Sequence, residues 1–410
     1  MIDNLATKKP KVLVIHRGSR RRYAVPRLLE KSGYLAGFYT DSHRHSPLGK
    51  VANLIPEYLR SSSVQRLYQR QIEDIPLSKV KGWDSLTFYD WQFNRSKLPL
   101  KTWLEKRDEL WLRKLKHWGL GDANVLYSMS AENLSALEYV SKQGIRTVVD
   151  AFIDPGNVRI MREEKIKFNL PLNRFEAEWE IMEQHYAQIY SQADYILCPA
   201  NSVAEGVKEV CPDTQKPIWI VPYGSSLNFN DNKRSPVNGR ILWAGTDWLR
   251  KGLIYLAKAA DQLKPYYPHL DIRVAGVIDE NLMRDTRFQN LTFLGRLDKQ
   301  KFMEELLSAQ IFTLPTLVEG MAGVVIEALS AGLPCIITEQ AGIDGAEDKE
   351  NVLIVPSQNS IALVEAIKNL LTNSELSDYL SHQSKKLAQT FTEDLWEKRL
   401  TDAINQINMK

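Results

Sequence analysis

The sequence predicts an α/β protein made of two doubly wound, Rossmann-like domains facing each other across a cleft. Three observations carry that expectation. At 410 residues the chain exceeds what one core holds, because single cores stop growing at about 250–300 residues. Short β-branched apolar runs alternate with helical segments along its length, the rhythm of parallel strands covered on both faces. That rhythm is broken at residues 223–239 by a stretch rich in Gly, Ser, Asn and Pro, and then it restarts.

The first domain, residues 1–222, opens on the run KVLVI at 11–15, followed by a polar turn and a helix over 25–32. Residues 125–127, 147–150, 195–198 and 218–221 read as further buried strands. Between them, residues 101–118 draw as a basic amphipathic helix: Leu104, Trp111, Leu115 and Trp118 form a stripe, with Lys106, Arg107, Arg113 and Lys114 beside it. Core packing and contact with an anionic leaflet both explain that stripe. Beyond the 223–239 linker, the second domain (240–390) predicts strands at 241–243, 272–275, 291–294, 311–316, 335–338 and 352–355. Its helices are expected at 252–264, 299–308, 323–330 and 360–371. A last helix, 392–407, starts on Thr-Glu-Asp, a capped N-terminus, and fills the terminal segment 391–410.

Composition narrows the function classes. Apolar content of 44% and charge of 25% are those of a globular protein rather than a disordered chain. No stretch approaches the ~20 apolar residues of a membrane span, and the N-terminal residues run into the first strand without a signal-like segment, so a cytoplasmic protein is expected. Cys198, Cys211 and Cys335 are too few and too scattered for a disulfide framework or a structural zinc site. The net charge of +3 hides a division: residues 1–120 hold 24 Lys+Arg and 11 Asp+Glu, a net of +13, which leaves −10 for the rest. Long-range attraction then favours an anionic partner for the first domain, with docking on the cytoplasmic face of a membrane as one form of it.

The chemistry concentrates where a strand meets a helix. Glu319 and Glu327 frame the crossing from the run 311–316, which stops at Pro315, into the helix that begins at Gly323. In open α/β sheets ligands bind outside the carboxyl ends of strands, where helix N-termini present N–H groups and a positive dipole end to anions. A glycine-flanked phosphate seat between two carboxylates is the expected outcome. Just after the second domain's first strand, Gly245, Thr246, Arg250, Lys251 and Gly252 occupy a second such turn.

The passage 315–334 (PTLVEGMAGVVIEALSAGLP) resembles the donor-site signature of retaining glycosyltransferase family 4, and 244–253 resembles that family's G-R-L-x-x-x-K-G segment. Met321 stands where the family has an aromatic residue, and Thr246 where it has an arginine. The resemblance implies the two-domain GT-B architecture, with the terminal helix crossing back onto the first domain. It further implies a nucleotide diphosphate-sugar donor, with Lys251, helped by Arg250, on the diphosphate, and with Glu319 near the anomeric carbon. Glu327 would hold the ribose hydroxyls, backbone N–H groups of Gly320, Met321, Ala322, Gly323 and Val324 would face the phosphates, and Arg296 would lie beside the base. On the acceptor side the implied residues are His16, Arg17, Gly18 and Asp150, and the loop 16–23 carries four arginines in place of the family's glycines.

The chain has no D-x-D pair and no G-x-G-x-x-G after either opening strand, which argues against a metal-bound donor and against a dinucleotide dehydrogenase. The resemblance, with the missing D-x-D, implies metal-independent, retaining transfer of a sugar to a glycan, lipid-linked or other hydroxyl acceptor in envelope polysaccharide or glycolipid synthesis, with no cofactor and no nucleic acid partner. An epimerase of the same architecture and a non-enzymatic anion-binding protein are the alternatives.

Overall fold

The computed structural model describes residues 9–93, 98–129, 133–225, 227, 229, 233–277 and 279–407. The readings of residues 1–8 and of the middle of the linker lie outside them. The first sheet comprises β1 (Val12–Ile15), β2 (Leu35–Asp41), β3 (Val80–Trp83), β4 (Val125–Met129), β5 (Arg146–Asp150), β6 (Tyr195–Cys198) and β7 (Ile218–Ile220), in the order β3-β2-β1-β4-β5-β6-β7. The second comprises β8 (Arg240–Ala244), β9 (Asp271–Ala275), β10 (Thr292–Gly295), β11 (Ile311–Leu314), β12 (Cys335–Ile337) and β13 (Leu353–Ile354), in the order β10-β9-β8-β11-β12-β13. Every pairing within them is parallel. Two Rossmann-like sheets with helical crossovers are what the alternation predicted.

Both sheets reverse their strand order once, between β1 and β4 and between β8 and β11. Chain direction changes sides there, which opens a crevice at the strands' carboxyl ends. The loops that follow β1, β8 and β11 carry the arginine run, Lys251 and Glu319, so topology alone gathers the chemistry.

Burial follows the period of two in each strand. Val12 and Val14 of β1 face a core shared with Leu28 of the helix Ala24–Lys31, while Leu13 and Ile15 face the other side. There the helix Leu100–Trp118 covers the sheet with Trp103, Leu104, Trp111 and Leu115. The apolar stripe of that helix is therefore consumed by the core. It offers no face to lipid.

The helix Glu393–Asn405, capped by Thr392 accepting from the Leu395 N–H, lies on the first domain. Arg27 donates to both carboxylate oxygens of Glu393 at 2.8 and 2.7 Å, and Tyr34 donates to Asn405 at 2.9 Å. Trp396 of the same helix is buried against the Tyr223 ring, with centroids 5.1 Å apart. At the described end of the linker, Arg234 donates to the carbonyls of Gly332 and Ala309, so this stretch is tied to the second domain. Sequence patterning missed β2 and β3, whose runs LAGFYTD and VKGW are interrupted by glycine and charge, and the helix Ser374–Ala388. No helix among the described residues is long and apolar enough to cross a membrane.

Candidate active site

The loop after β8 is shaped by two glycines. The stem of Lys251 lies across Gly245, where a Cβ would collide with the lysine Cδ. Gly252 adopts φ +71° at the start of the helix Leu253–Leu263, and a Cβ there would strike the Pro315 carbonyl. The loops after β8 and β11 thereby close on each other: the Arg250 carbonyl accepts from Thr316 Oγ1 at 3.0 Å and from the Leu317 N–H at 2.8 Å. The Trp243 indole N–H fixes the Lys251 carbonyl at 3.0 Å.

This closure aims two cations at one carboxylate. Lys251 Nζ lies 2.5 Å from Glu319 Oε1, and Arg250 Nη1 lies 2.8 Å from Glu319 Oε2. Arg250 also donates to the Val318 carbonyl and pairs with Asp247. Burial by itself would raise the Glu319 carboxyl, but Lys251 and Arg250 outweigh it and hold it below its ordinary value. Lys251 moves the other way: burial pulls its ammonium below the usual lysine range despite the pull of Glu319. A charged triad with little water around it responds strongly to any anion brought alongside.

Glu327, on the helix Gly323–Ser330, faces a cavity of about 440 Å³ together with Arg21, Arg22, Lys299 and Gly323. Burial pushes its carboxyl up to about 7, with Arg21, Arg22, Lys299 and Lys251 working against the shift. Arg21 belongs to both this cavity and a neighbouring one of about 250 Å³ that holds His16, Arg20, Tyr223, Glu319 and Gly320. Its guanidinium donates to the Met321 carbonyl at 2.9 Å, lies 4.3 Å from the Tyr223 ring centroid, and sits beside the Cα of Gly323. An arginine of the first domain thus reaches the N-terminus of the second domain's signature helix.

Not every residue named from the sequence converges. Gly245, Arg250, Lys251, Glu319, Gly320, Met321, Gly323 and Glu327 line or floor the crevice, and His16 opens onto it from the first domain. Thr246 and Arg296 are exposed, and Leu297 and Lys299, not Arg296, line the larger cavity. The Ala322 N–H donates to the Ala341 carbonyl at 2.9 Å, which takes it away from a ligand. Gly323 and Val324 open the helix, and their N–H groups belong to its unsatisfied first turn, while Gly320 and Met321 lie in the loop before it. Asp150 is buried behind Tyr223, its two oxygens accepting from Tyr127 at 2.5 Å and Tyr223 at 3.0 Å, and burial lifts its carboxyl to about 6 against these bonds and Arg20 and Arg21. Arg17 turns toward Asp90, and the Gly18 N–H donates to Asp41 at 3.0 Å. Sequence reasoning missed Tyr223, Trp396 and Lys299. It named Arg21 only as one of four arginines.

Residues 238–373 match the sequence model of the glycosyl transferases group 1. The match falls on the second domain and covers about a third of the chain. A curated relative, the putative teichuronic acid biosynthesis glycosyltransferase TuaC of Bacillus subtilis, is 29% identical over 195 residues, covering 44% of this chain and 48% of that protein. The chain spans less than half the length of the curated relatives it matches. Among solved structures, sucrose-phosphate synthase from Thermosynechococcus elongatus superposes with a TM-score of 0.69 at 14% identity, covering 97% of this chain and 99% of that one. Anabaena Alr3699/HepE in complex with UDP gives 0.62 at 12% identity, covering 97% and 100%. At such identities the likeness establishes the GT-B fold of the whole chain, and the group 1 match covers the domain that holds Lys251, Glu319 and Glu327.

A pH dependence follows from Glu327. A carboxyl raised to about 7 disfavours the folded state only where it must ionise: the penalty is absent below its ordinary value, accrues as pH rises toward 7 and is complete above it. A ligand hydroxyl that donates to this group needs the carboxylate. Affinity for a ligand whose hydroxyl donates to Glu327 should therefore weaken by up to about tenfold per pH unit below 7 and level off above it. Calorimetric titration of UDP between pH 5.5 and 8.5 checks this, and Glu327→Gln should flatten the profile.

Proposed function

We propose that the protein is a retaining glycosyltransferase that moves a sugar from a nucleotide diphosphate-sugar to a hydroxyl acceptor in cell-envelope polysaccharide or glycolipid synthesis. The observation that carries this reading is the triad of Lys251, Arg250 and Glu319, set beside the N-terminus of the helix Gly323–Ser330 with Arg21 over it. The cations Lys251, Arg250 and Arg21 outnumber the carboxylates Glu319 and Asp247 beside them, which leaves positive charge to meet the roughly two negative charges of a diphosphate diester. The group 1 match of the domain and the relation to TuaC support the sugar donor and the envelope role.

In the proposed reaction the diphosphate displaces Glu319 from its two cations and lies along Lys251, Arg250, Arg21 and the N–H groups of Gly323 and Val324. Glu327 accepts from the ribose hydroxyls. Glu319, released, holds the sugar near its anomeric carbon. The bond from that carbon to the phosphate oxygen breaks, the acceptor oxygen bonds to the same face, and its proton passes to the departing phosphate. Charge that builds on the leaving oxygens is met by cations already fixed in a poorly hydrated crevice, so they stabilise the transition state more than the ground state. Fixed cations take the place of a divalent ion in this scheme. The acceptor enters from the first domain, past His16 and the loop that holds Arg17, Gly18 and Arg20.

Melting temperature measured against a panel of UDP-, GDP- and ADP-sugars tests the reading. One of them should raise it in a concentration-dependent way, since a ligand that binds only the folded state stabilises by mass action. No shift with any member would sink the proposal.

A further inference from the structure

Large apolar side chains are exposed in one corner of the first domain out of proportion to its size. Residues 47–59, which form the helix Pro47–Asn53 and the turn after it, leave Leu48, Val51, Leu54, Tyr58 and Leu59 in solvent, with Leu54 and Tyr58 82% and 84% accessible. Phe88 and Trp91 add a stacked pair, with centroids 5.5 Å apart, that is also exposed. Monomeric surfaces seldom gather so many apolar groups without a partner. Positive charge accompanies them. Residues 44–70 carry Arg44, Lys50, Arg60, Arg66 and Arg70 against the single acid Glu57.

Behind this corner runs a groove of about 730 Å³. Leu48, Val51 and Trp91 of the corner line it together with Arg17, Arg20, Arg66 and Arg70; Asp41 and Asp90 line it too, paired with Arg70 and Arg17. Arg17 and Arg20 also line the cavity that contains Arg250, and Arg20 lines the one that contains Glu319. The apolar corner, a groove in which four arginines outnumber two carboxylates, and the proposed catalytic crevice thus share lining residues.

The geometry points to a docking surface for an anionic lipid leaflet at residues 47–59 and 88–91, with the groove carrying the phosphorylated head of a lipid-borne acceptor to the crevice. This rests on the glycosyltransferase reading above and names its acceptor class. Charge complementarity selects the occupant. Apolar tips flanked by arginines suit the acyl boundary and the headgroups of an anionic bilayer, whereas a protein partner would need a covered apolar core with few charges in it. The helix Leu100–Trp118 is excluded from the role because its stripe is buried.

Co-sedimentation with vesicles gives the test. The protein should pellet with phosphatidylcholine–phosphatidylglycerol vesicles at low salt, release at high salt, and ignore phosphatidylcholine alone. Leu54→Glu combined with Leu59→Glu should weaken pelleting about tenfold or more while leaving the nucleotide-sugar melting shift unchanged, which also shows that the variant folds. Undiminished pelleting of that variant, or no pelleting of the natural protein, overturns the docking. Dodecyl phosphate below its micellar concentration should raise the melting temperature where inorganic phosphate at the same concentration does not, and equal effects overturn the groove. Loss of the nucleotide-sugar shift in the natural protein is a separate failure, of the glycosyltransferase reading itself.

Discussion

Lys251→Ala is expected to slow sugar transfer by about a thousandfold, a loss of about 4 kcal/mol of transition-state stabilisation. The size follows from where the ammonium is held. Its stem lies over Gly245, its carbonyl is fixed by Trp243, and its charge is 2.5 Å from Glu319 in a nearly dry crevice. A cation so placed needs no reorganisation when charge builds on a departing phosphate. Lys251→Arg should not restore the rate, because a planar guanidinium that begins one atom earlier on the stem does not fit the space above Gly245 or set a point charge at the same place. Loss of fold is a competing explanation, since removing one partner of a buried pair leaves the other uncompensated. Here Arg250 still holds Glu319 at 2.8 Å, so the fold should survive with a lowered melting temperature. Single-turnover rates at saturating donor, read beside melting curves, separate the two effects. A folded Lys251→Ala protein within tenfold of the natural rate would remove Lys251 from the mechanism.

How much of this site was legible depended on how local its cause was. The strand-to-helix crossing at 311–330 showed itself because Pro315, the glycines and the two glutamates are all close in sequence, and the structure sets that helix at Gly323–Ser330. Lys251 and Glu319 were legible as separate motifs. Their contact was not, because it arises from two loops meeting through Gly252 and Pro315. Arg296 was chosen by register with a family segment. The chain instead turns at Gly295, φ +65°, and delivers Leu297 and Lys299 to the cavity. Nor does the sequence disclose that the Ala322 N–H is taken by Ala341, nineteen residues on in a different loop. The tryptophan stripe at 103–118 had two physical readings of equal merit, and packing against β1 decided between them. By contrast, the apolar residues of the corner at 47–59, among them Leu48, Val51, Leu54 and Leu59, read in the sequence like any core-facing set; only their failure to be buried reveals them.

Arg21 was the least legible residue and carries the second large expectation: Arg21→Ala should lower kcat/KM about a hundredfold, through weaker donor binding as well as slower transfer. Three arginines in succession give no hint of which one turns inward. The backbone decides it, since Arg21, Arg22 and Tyr23 all have positive φ, at 45°, 53° and 59°. Each such residue without glycine's freedom costs roughly 1–2 kcal/mol. Stacking of His16 on Tyr23, with centroids 5.6 Å apart, and the Arg22 N–H bond to the Ser19 carbonyl hold the turn. The conformation takes a guanidinium out of water and sets it at the mouth of the helix Gly323–Ser330, where burial pulls it below its ordinary value while Tyr223, Glu327, Glu319 and Asp150 oppose the shift. A cation beside a helix N-terminus opposes the dipole, and an anion placed between the two would be favoured by both. Thr246 supplies no charge after Gly245, and Arg21 reaches the same crevice from the facing domain. In the proposed reaction the diphosphate would touch both lobes at once, and this cation would couple donor binding to their closure. Arg21→Lys should recover part of the loss, as a point charge lacks the fork that spans the Met321 carbonyl and a phosphate oxygen. The decisive comparison is the melting shift caused by the nucleotide-sugar. If Arg21→Ala keeps the full shift and the full kcat/KM, the turn is strained for some other reason and the diphosphate is held by the second domain alone.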